Sequence, residues 1–157
     1  MSYQVLSFKE ALDKAMQYSS RKEYNSHQMM KKIISWGCSE DDTKNIIEVL
    51  VEQKFIDDQR YTEAFVRDKL RLAKWGRVKI SYMLKMQGIR DSIIRDSMTV
   101  IDQDEYLQLL KGELTKKSKS IKAGNPIEIK GKLYRFAAGR GFEPDVINEA
   151  IRLCIND

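Results

Sequence analysis

The stretch "ISYMLKMQGIRDSIIRDSM", residues 80–98, contains two short amphipathic segments separated by a glycine. Apolar side chains recur every three or four positions on both sides of Gly88, which is the period of an α-helix. A residue just past a helix end often has a positive φ, which glycine adopts at the lowest cost. The stretch therefore predicts two α-helices joined by a tight turn at Gly88.

Two other parts of the chain have the same form, so the sequence contains an internal repeat. They are "MMKKIISWGCSEDDTKNIIEVL" at 29–50 and "LYRFAAGRGFEPDVINEAI" at 133–151, with turns expected at Gly37 and Gly141. The three glycines lie 51 and 53 positions apart, and strand-like alternation is not convincing anywhere. A further amphipathic segment precedes each pair, at 8–20, 58–74 and about 102–116. We predict an all-α protein whose three tandem three-helix repeats form an elongated, curved array, with units at 1–52, 53–101 and 102–157.

The composition limits the classes of function. The net charge of +5 and pI of about 9.1 permit an anionic partner without choosing one. There is no apolar run of the ~18 residues that a membrane span needs, and the beginning of the chain does not resemble a secretory signal. The two cysteines, Cys38 and Cys154, are far apart in sequence, which is typical of reduced thiols. We expect a cytoplasmic protein with no membrane partner.

Catalytic and cofactor motifs are missing from the sequence. His27 is the single histidine and has no second ligand at metal-binding spacing, and there is no glycine-rich phosphate loop. Asp57 and Asp58 stand immediately before a predicted helix, where carboxylates accept hydrogen bonds from free N–H groups. We interpret both as helix caps and expect no enzymatic activity, no metal and no cofactor.

Basic residues concentrate in the second and third units. Residues 67–90 hold eight bases and one acid, and residues 111–140 hold nine bases and two acids. The polar segment "TKKSKSIKAGNP", 115–126, is expected to be a mobile loop. On a helix over 58–74, Lys69 falls within the apolar arc, so its stem must run along the apolar surface with its amine in water. The opposite face is a row of cations for which we expect no neutralising acids at i,i+4 spacing: Arg60, Arg67, Arg71 and Lys74.

This distribution predicts contacts to an anionic partner, although a merely solvated basic face remains the alternative. A major-groove reader is disfavoured, because the helices that follow the first and third glycines are acidic. The cations expected to contact the partner are Arg60, Arg67, Arg71, Lys74, Arg77 and Lys79, followed by Lys130, Lys132 and Arg135 as weaker candidates.

The central unit resembles a known family. "FIDDQRYTEAFVRDKL", followed by "WGRVKISYMLKMQGI", is similar to the central signature of the RecX family, which regulates the RecA recombinase. Arg140, Gly141 and Phe142 resemble the closing turn of that family. The likeness extends over about residues 11–151.

The resemblance implies three three-helix repeats and a non-enzymatic role in DNA repair, recombination and the SOS response. Members of the family bind in the groove of the RecA filament on single-stranded DNA and limit filament growth, ATP hydrolysis and strand exchange. We expect a monomer that binds this filament, and direct binding to DNA stays open. Two alternatives stay open: a sequence-nonspecific DNA-binding protein without a RecA partner, and a helical-repeat adaptor for an unrelated acidic protein.

Overall fold

A computed structural model describes residues 5–122 and 124–156. These residues form nine α-helices and no strand, which confirms the all-α prediction. The helices, in chain order, are α1 Phe8–Arg21, α2 Ser26–Ser35, α3 Glu40–Glu52, α4 Asp58–Arg71, α5 Arg77–Met86, α6 Asp91–Met98, α7 Gln103–Ser120, α8 Pro126–Gly139 and α9 Pro144–Asn156.

Short polar side chains determine where most of these helices begin. Ser7 and Asn25 each form a capping box with the residue three positions later, at the starts of α1 and α2. Four other caps accept a backbone N–H bond in the first turn: Ser39, Asp57, Asp102 and Asn125. The second helix of each unit ends before a glycine of positive φ: Gly37 at +89°, Gly88 at +81° and Gly141 at +90°.

Two segments differ from their predicted structure. α4 ends at Arg71 rather than at Lys74, which instead has a φ of 58°. The amide of Trp75 there donates to the carbonyl of Lys69 at 3.0 Å, so the chain turns sharply toward α5. The expected loop at 115–126 is also wrong in its first half, because α7 continues to Ser120. Buried Leu114 anchors this last part of α7 to the core.

The buried apolar side chains form two clusters. The first unit has its own cluster, which contains Met29, Ile33 and Leu50. The second and third units share one continuous cluster, which runs from Val66 in α4 to Ile151 in α9. The accessible surface of 10040 Å² exceeds the roughly 8,100 Å² expected for a compact monomer of this mass, so the helical repeat is extended. The exact division of the chain at 52/53 and 101/102 stays a prediction.

The same contact joins successive units. The second helix of one unit begins against the glycine turn of the next unit. At the junction of the second and third units, the amide of Gly76 donates to the Arg140 carbonyl at 2.8 Å and that of Val78 to the Gly141 carbonyl at 2.9 Å. At the first junction, the ring of His27 lies directly over Gly88. The glycines therefore allow close approach between units as well as a positive φ.

The first glycine turn is covered in the same manner by residues near the beginning of the chain. The amide of Leu6 donates to the Trp36 carbonyl at 3.2 Å, which reproduces the bond between Gly76 and Arg140. Val5 packs against Gly37 in the same way that His27 packs against Gly88 and Lys79 against Gly141. Residues 5 and 6 thus lie where a preceding helix lies at the other two turns.

Gly112 offers a direct test of helix stability, because it lies in the interior of α7 with no heavy atom near the position of a Cβ. Gly112→Ala is expected to raise the free energy of unfolding by roughly 0.5–1 kcal/mol, since alanine loses less backbone entropy on folding. Urea unfolding followed by circular dichroism measures this. Gln108→Ala, one turn earlier on the exposed face, is the control and should change stability by less.

Candidate functional site

The described residues contain no cluster of side chains that could hold a metal ion. Among residues 5–122 and 124–156, no group of three or more histidine, cysteine, aspartate or glutamate side chains could hold a metal ion. His27 packs on Gly88, and Cys38 and Cys154 are free thiols. No helix in this part of the chain is long and apolar enough to cross a membrane.

Asp57 and Asp58 have different partners. Asp57 is the N-cap of α4 and accepts the amide of Arg60 at 3.0 Å. Asp58 lies within α4, and its two carboxylate oxygens accept from the amide and hydroxyl of Ser26, at 2.7 and 2.5 Å. The interpretation of Asp58 as a cap of its own helix is therefore wrong. It binds the first residue of α2 in the preceding unit, whose free amide attracts a carboxylate.

Arg60 also connects the first two units. Its guanidinium makes two hydrogen bonds to the carboxylate of Glu23, at 2.9 and 3.2 Å. This is the bidentate geometry in which arginine binds carboxylates most specifically. Arg60 is thus paired inside the chain while its side chain stays 44% exposed, and its contact with a partner stays a prediction.

Arg77 is similarly engaged at the second junction. One guanidinium nitrogen lies 2.8 Å from the Glu143 carboxylate and another 2.7 Å from the Gln103 side-chain oxygen. The guanidinium carbon lies 4.0 Å from the centre of the Tyr106 ring, and the Arg77 side chain is only a quarter exposed. Arg77 therefore links the second and third units, and its contact with a partner stays a prediction.

The Tyr106 hydroxyl lies at the centre of this second junction. It accepts the backbone amide of Arg77 at 2.9 Å and donates to Glu143. Burial, followed by the hydrogen bond to Glu143, raises the pKa of Tyr106 above its usual value. Tyr61 occupies the corresponding place at the first junction, where its hydroxyl donates to the Gln87 side chain at 2.6 Å.

Arg67 and Arg71 remain on the outer face of α4, and both are exposed. Arg67 lies 4.0 Å from Glu63, one turn earlier, so the expected absence of i,i+4 acids is wrong at this position. An exposed pair at this distance neutralises the arginine only weakly. None of the ion pairs observed among the described residues involves Arg71.

Lysines and aromatic rings pack together beside this face. The amine of Lys69 lies 5.4 Å from the ring centre of Phe65 and 4.9 Å from that of Trp75, so its stem follows the apolar surface as expected. Lys79 lies 4.5 Å from the same Trp75 ring. Lys74, beyond the end of α4, does not share the helical row of Arg67 and Arg71.

The three weaker candidates divide between two clefts of the third unit. Lys132 and Arg135 line an open cleft together with Lys117, Lys122 and Phe136. Lys130 lines a different cleft, beside Arg152 of α9. The structure thus brings Lys132 and Arg135 together with two lysines that were not singled out from the sequence, and separates them from Lys130.

Comparison with known proteins identifies the family. The RecX second three-helix domain matches residues 57–98, and the RecX third three-helix domain matches residues 103–151. The chain is 30% identical over 158 residues to a "Regulatory protein RecX" from Clostridium botulinum (strain Eklund 17B / Type B), covering 97% of this chain and 74% of that protein. It is 32% identical over 130 residues to the protein of the same name from Clostridium tetani (strain Massachusetts / E88), covering 82% of this chain and 59% of that protein.

A solved structure also shares the fold. The crystal structure of RecX from Lactobacillus salivarius superposes with a TM-score of 0.92 at 21% identity, covering 96% of this chain and 97% of that one. The two domain matches together cover more than half of the chain. The chain therefore belongs to the RecX family of regulatory proteins.

Proposed function

We propose that this protein is a negative regulator of the RecA recombinase that binds in the groove of the RecA filament on single-stranded DNA. Membership of the RecX family is the observation that supports this proposal most directly. A non-enzymatic role is consistent with a helical repeat whose relatives are named regulatory proteins. We further propose that it acts in the cytoplasm as a monomer.

The outer face of α4 is the proposed contact with the filament. Arg67 and Arg71 are exposed there, in the unit that matches the second domain of the family. Guanidinium groups bind carboxylates and phosphates in a planar, bidentate manner, and a RecA filament on DNA can offer both. Lys74 and Lys79 add positive charge nearby. Arg60 and Arg77 contribute indirectly, because they hold the units in register.

A charge reversal at this face tests the proposed contact. The wild-type protein is expected to lower the DNA-dependent ATPase activity of the RecA from the same organism. Arg67→Glu/Arg71→Glu is expected to need at least about tenfold more protein for half-maximal inhibition, because two attractive contacts become repulsive. Lys9→Glu/Lys31→Glu, at two exposed lysines of the first unit, applies the same change in net charge and should inhibit like the wild type.

Two results would contradict these proposals in different ways. A wild-type protein without effect on the ATPase at saturating concentration removes RecA as the partner. An equal loss in the two charge-reversed variants removes Arg67 and Arg71 as the contact. The alternative of a DNA-binding protein without a RecA partner predicts the same salt-dependent affinity for DNA with and without RecA, which a salt titration measures.

A further inference from the structure

The first two helices of the third unit are one turn longer than those of the second unit. α7 has 18 residues where α4 has 14, and α8 has 14 residues where α5 has 10. The caps of α4 and α7 correspond, and so do the glycines that follow α5 and α8. The extra residues therefore lie where α7 meets α8, and they lengthen this pair of helices at one end only.

The lengthened end contains a cleft of about 450 Å³ whose charged lining is entirely cationic. The cations are Lys117 at the end of α7, Lys122 in the connection, and Lys132 and Arg135 in α8. None of the four takes part in an ion pair observed among the described residues. Four neighbouring positive charges repel one another, so the cleft favours binding of an anion.

Stabilisation of a helix end explains only part of this cluster. Lysines in the last turn of α7, such as Lys117, interact favourably with the free carbonyl groups there. Lys132 and Arg135 lie in the middle of α8, where no such effect operates. Phe136 packs against two of the cations in this region. Its ring centre lies 5.3 Å from the Lys117 amine and 4.7 Å from the Arg140 guanidinium carbon.

We propose that this cleft binds the phosphate backbone of single-stranded DNA, with Lys132 and Arg135 as the principal contacts. An open cleft lined by several separate cations suits a chain of successive phosphates better than a single small anion. The choice of single-stranded DNA rests on the proposed function, in which such a strand lies in the filament groove. Binding at the cleft itself requires no RecA.

Fluorescence anisotropy with a labelled oligothymidine tests the cleft in the absence of RecA. Lys132→Glu/Arg135→Glu is expected to weaken binding at least about tenfold. It should also reduce the slope of log affinity against log salt by about 1.4, at about 0.7 for each lost phosphate contact. Lys9→Glu/Lys31→Glu applies the same change in net charge far from the cleft and should retain the wild-type slope. The four substituted residues in these two variants are all exposed, so both variants should keep the wild-type free energy of unfolding.

Three outcomes would overturn the proposal. One is an unchanged affinity in Lys132→Glu/Arg135→Glu, and another is an equal loss in both variants, which would indicate only an overall electrostatic attraction. The third is competition by ATP as effective as that by unlabelled oligothymidine, which would assign the cleft to a free nucleotide. A failure here leaves RecA regulation standing, since the ATPase assay tests that separately. Conversely, a protein without effect on RecA can still bind DNA through this cleft.

Discussion

Gly141→Ala is expected to destabilise the protein by roughly 3 kcal/mol, the largest effect of any single substitution considered for this chain. Gly141 has a φ of +90°, a conformation that costs an alanine about 1–2 kcal/mol. A Cβ at this position would also lie 2.5 Å from the amide nitrogen of Lys79 and 2.9 Å from its Cα. These neighbours belong to the backbone, so a change of side-chain rotamer cannot relieve the clash.

The clash falls at the contact that joins the second and third units. Relief requires α5 to move away from the glycine turn, which breaks the bonds from Gly76 to Arg140 and from Val78 to Gly141. Because these two units share one apolar core, we expect the whole pair to become less stable rather than the turn alone. Urea unfolding should show a lower midpoint in a single transition for this part of the molecule.

Gly139→Ala provides the matched control, two residues earlier in the chain. Gly139 is the last residue of α8, and no heavy atom lies within 4 Å of the position of its Cβ. Alanine should therefore be neutral or slightly stabilising there. If Gly141→Ala and Gly139→Ala unfolded with the same free energy, the glycine turn would not form the close junction described.

Local features of this fold could be predicted from the sequence because they depend on residues that are close together in the chain. The turns at Gly37, Gly88 and Gly141 followed from the end of an apolar period at each glycine, and Asp57 caps its helix as its position predicts. The internal repeat could be predicted as well, since three similar units place corresponding residues at similar intervals along the sequence. Resemblance to RecX, expected from the central motif, is confirmed by the domain matches.

Contacts between units could not be predicted from the sequence, because they depend on which surfaces of the units face each other in the fold. Arg60 pairs with Glu23 and Arg77 with Glu143, which are 37 and 66 positions away in the chain. A helical projection places Arg60 on the outer face of its helix, and no projection of a single helix reveals a carboxylate on another unit. One signal was present in the sequence: Tyr61 and Tyr106 each follow a capping aspartate by four positions, and both are junction residues.

The longer helices of the third unit are also visible in the sequence, as a longer interval between the junction tyrosine and the turn glycine. Gly88 lies 27 positions after Tyr61, whereas Gly141 lies 35 positions after Tyr106. The eight additional residues equal about two helical turns, one in α7 and one in α8. A loop was predicted instead, because polar lysines and serines around 115–120 gave no apolar stripe. Helix-favouring lysines and the anchoring of Leu114 outweigh that signal.

Tyr106→Phe is expected to lower the free energy of unfolding by about 1–3 kcal/mol. The substitution keeps the ring, which is fully buried and packs 5.2 Å from the Phe142 ring centre, and removes only the hydroxyl. Without it, the Arg77 amide loses its acceptor and the Glu143 carboxylate loses a donor. Both groups then remain partly buried without these bonds, and a buried polar group without a partner lowers the free energy of unfolding by its full desolvation penalty.

Tyr61→Phe is the natural comparison, because Tyr61 holds the equivalent place at the first junction. Its hydroxyl contacts the side chains of Gln87 and Gln28, and this tyrosine is only partly buried. Water can replace the lost bonds there, so a cost of about 1 kcal/mol or less is expected. Equal costs at the two positions would show that the Arg77–Tyr106–Glu143 hydrogen bonds contribute no more to stability than the hydrogen bonds of the partly buried Tyr61.

Alkaline pH provides a second test of the buried Tyr106 hydroxyl. The pKa of Tyr106 is raised in the folded protein, first by burial and then by the hydrogen bond to Glu143. An unfolded chain releases this phenolic proton near pH 10, while the folded protein retains it. Above about pH 10 the folded state therefore binds more protons than the unfolded state, and the free energy of unfolding falls as the pH rises. Tyr106→Phe should therefore show a weaker decline between about pH 9.5 and 11. Identical pH profiles for the wild type and Tyr106→Phe would contradict the burial of the Tyr106 hydroxyl at this junction.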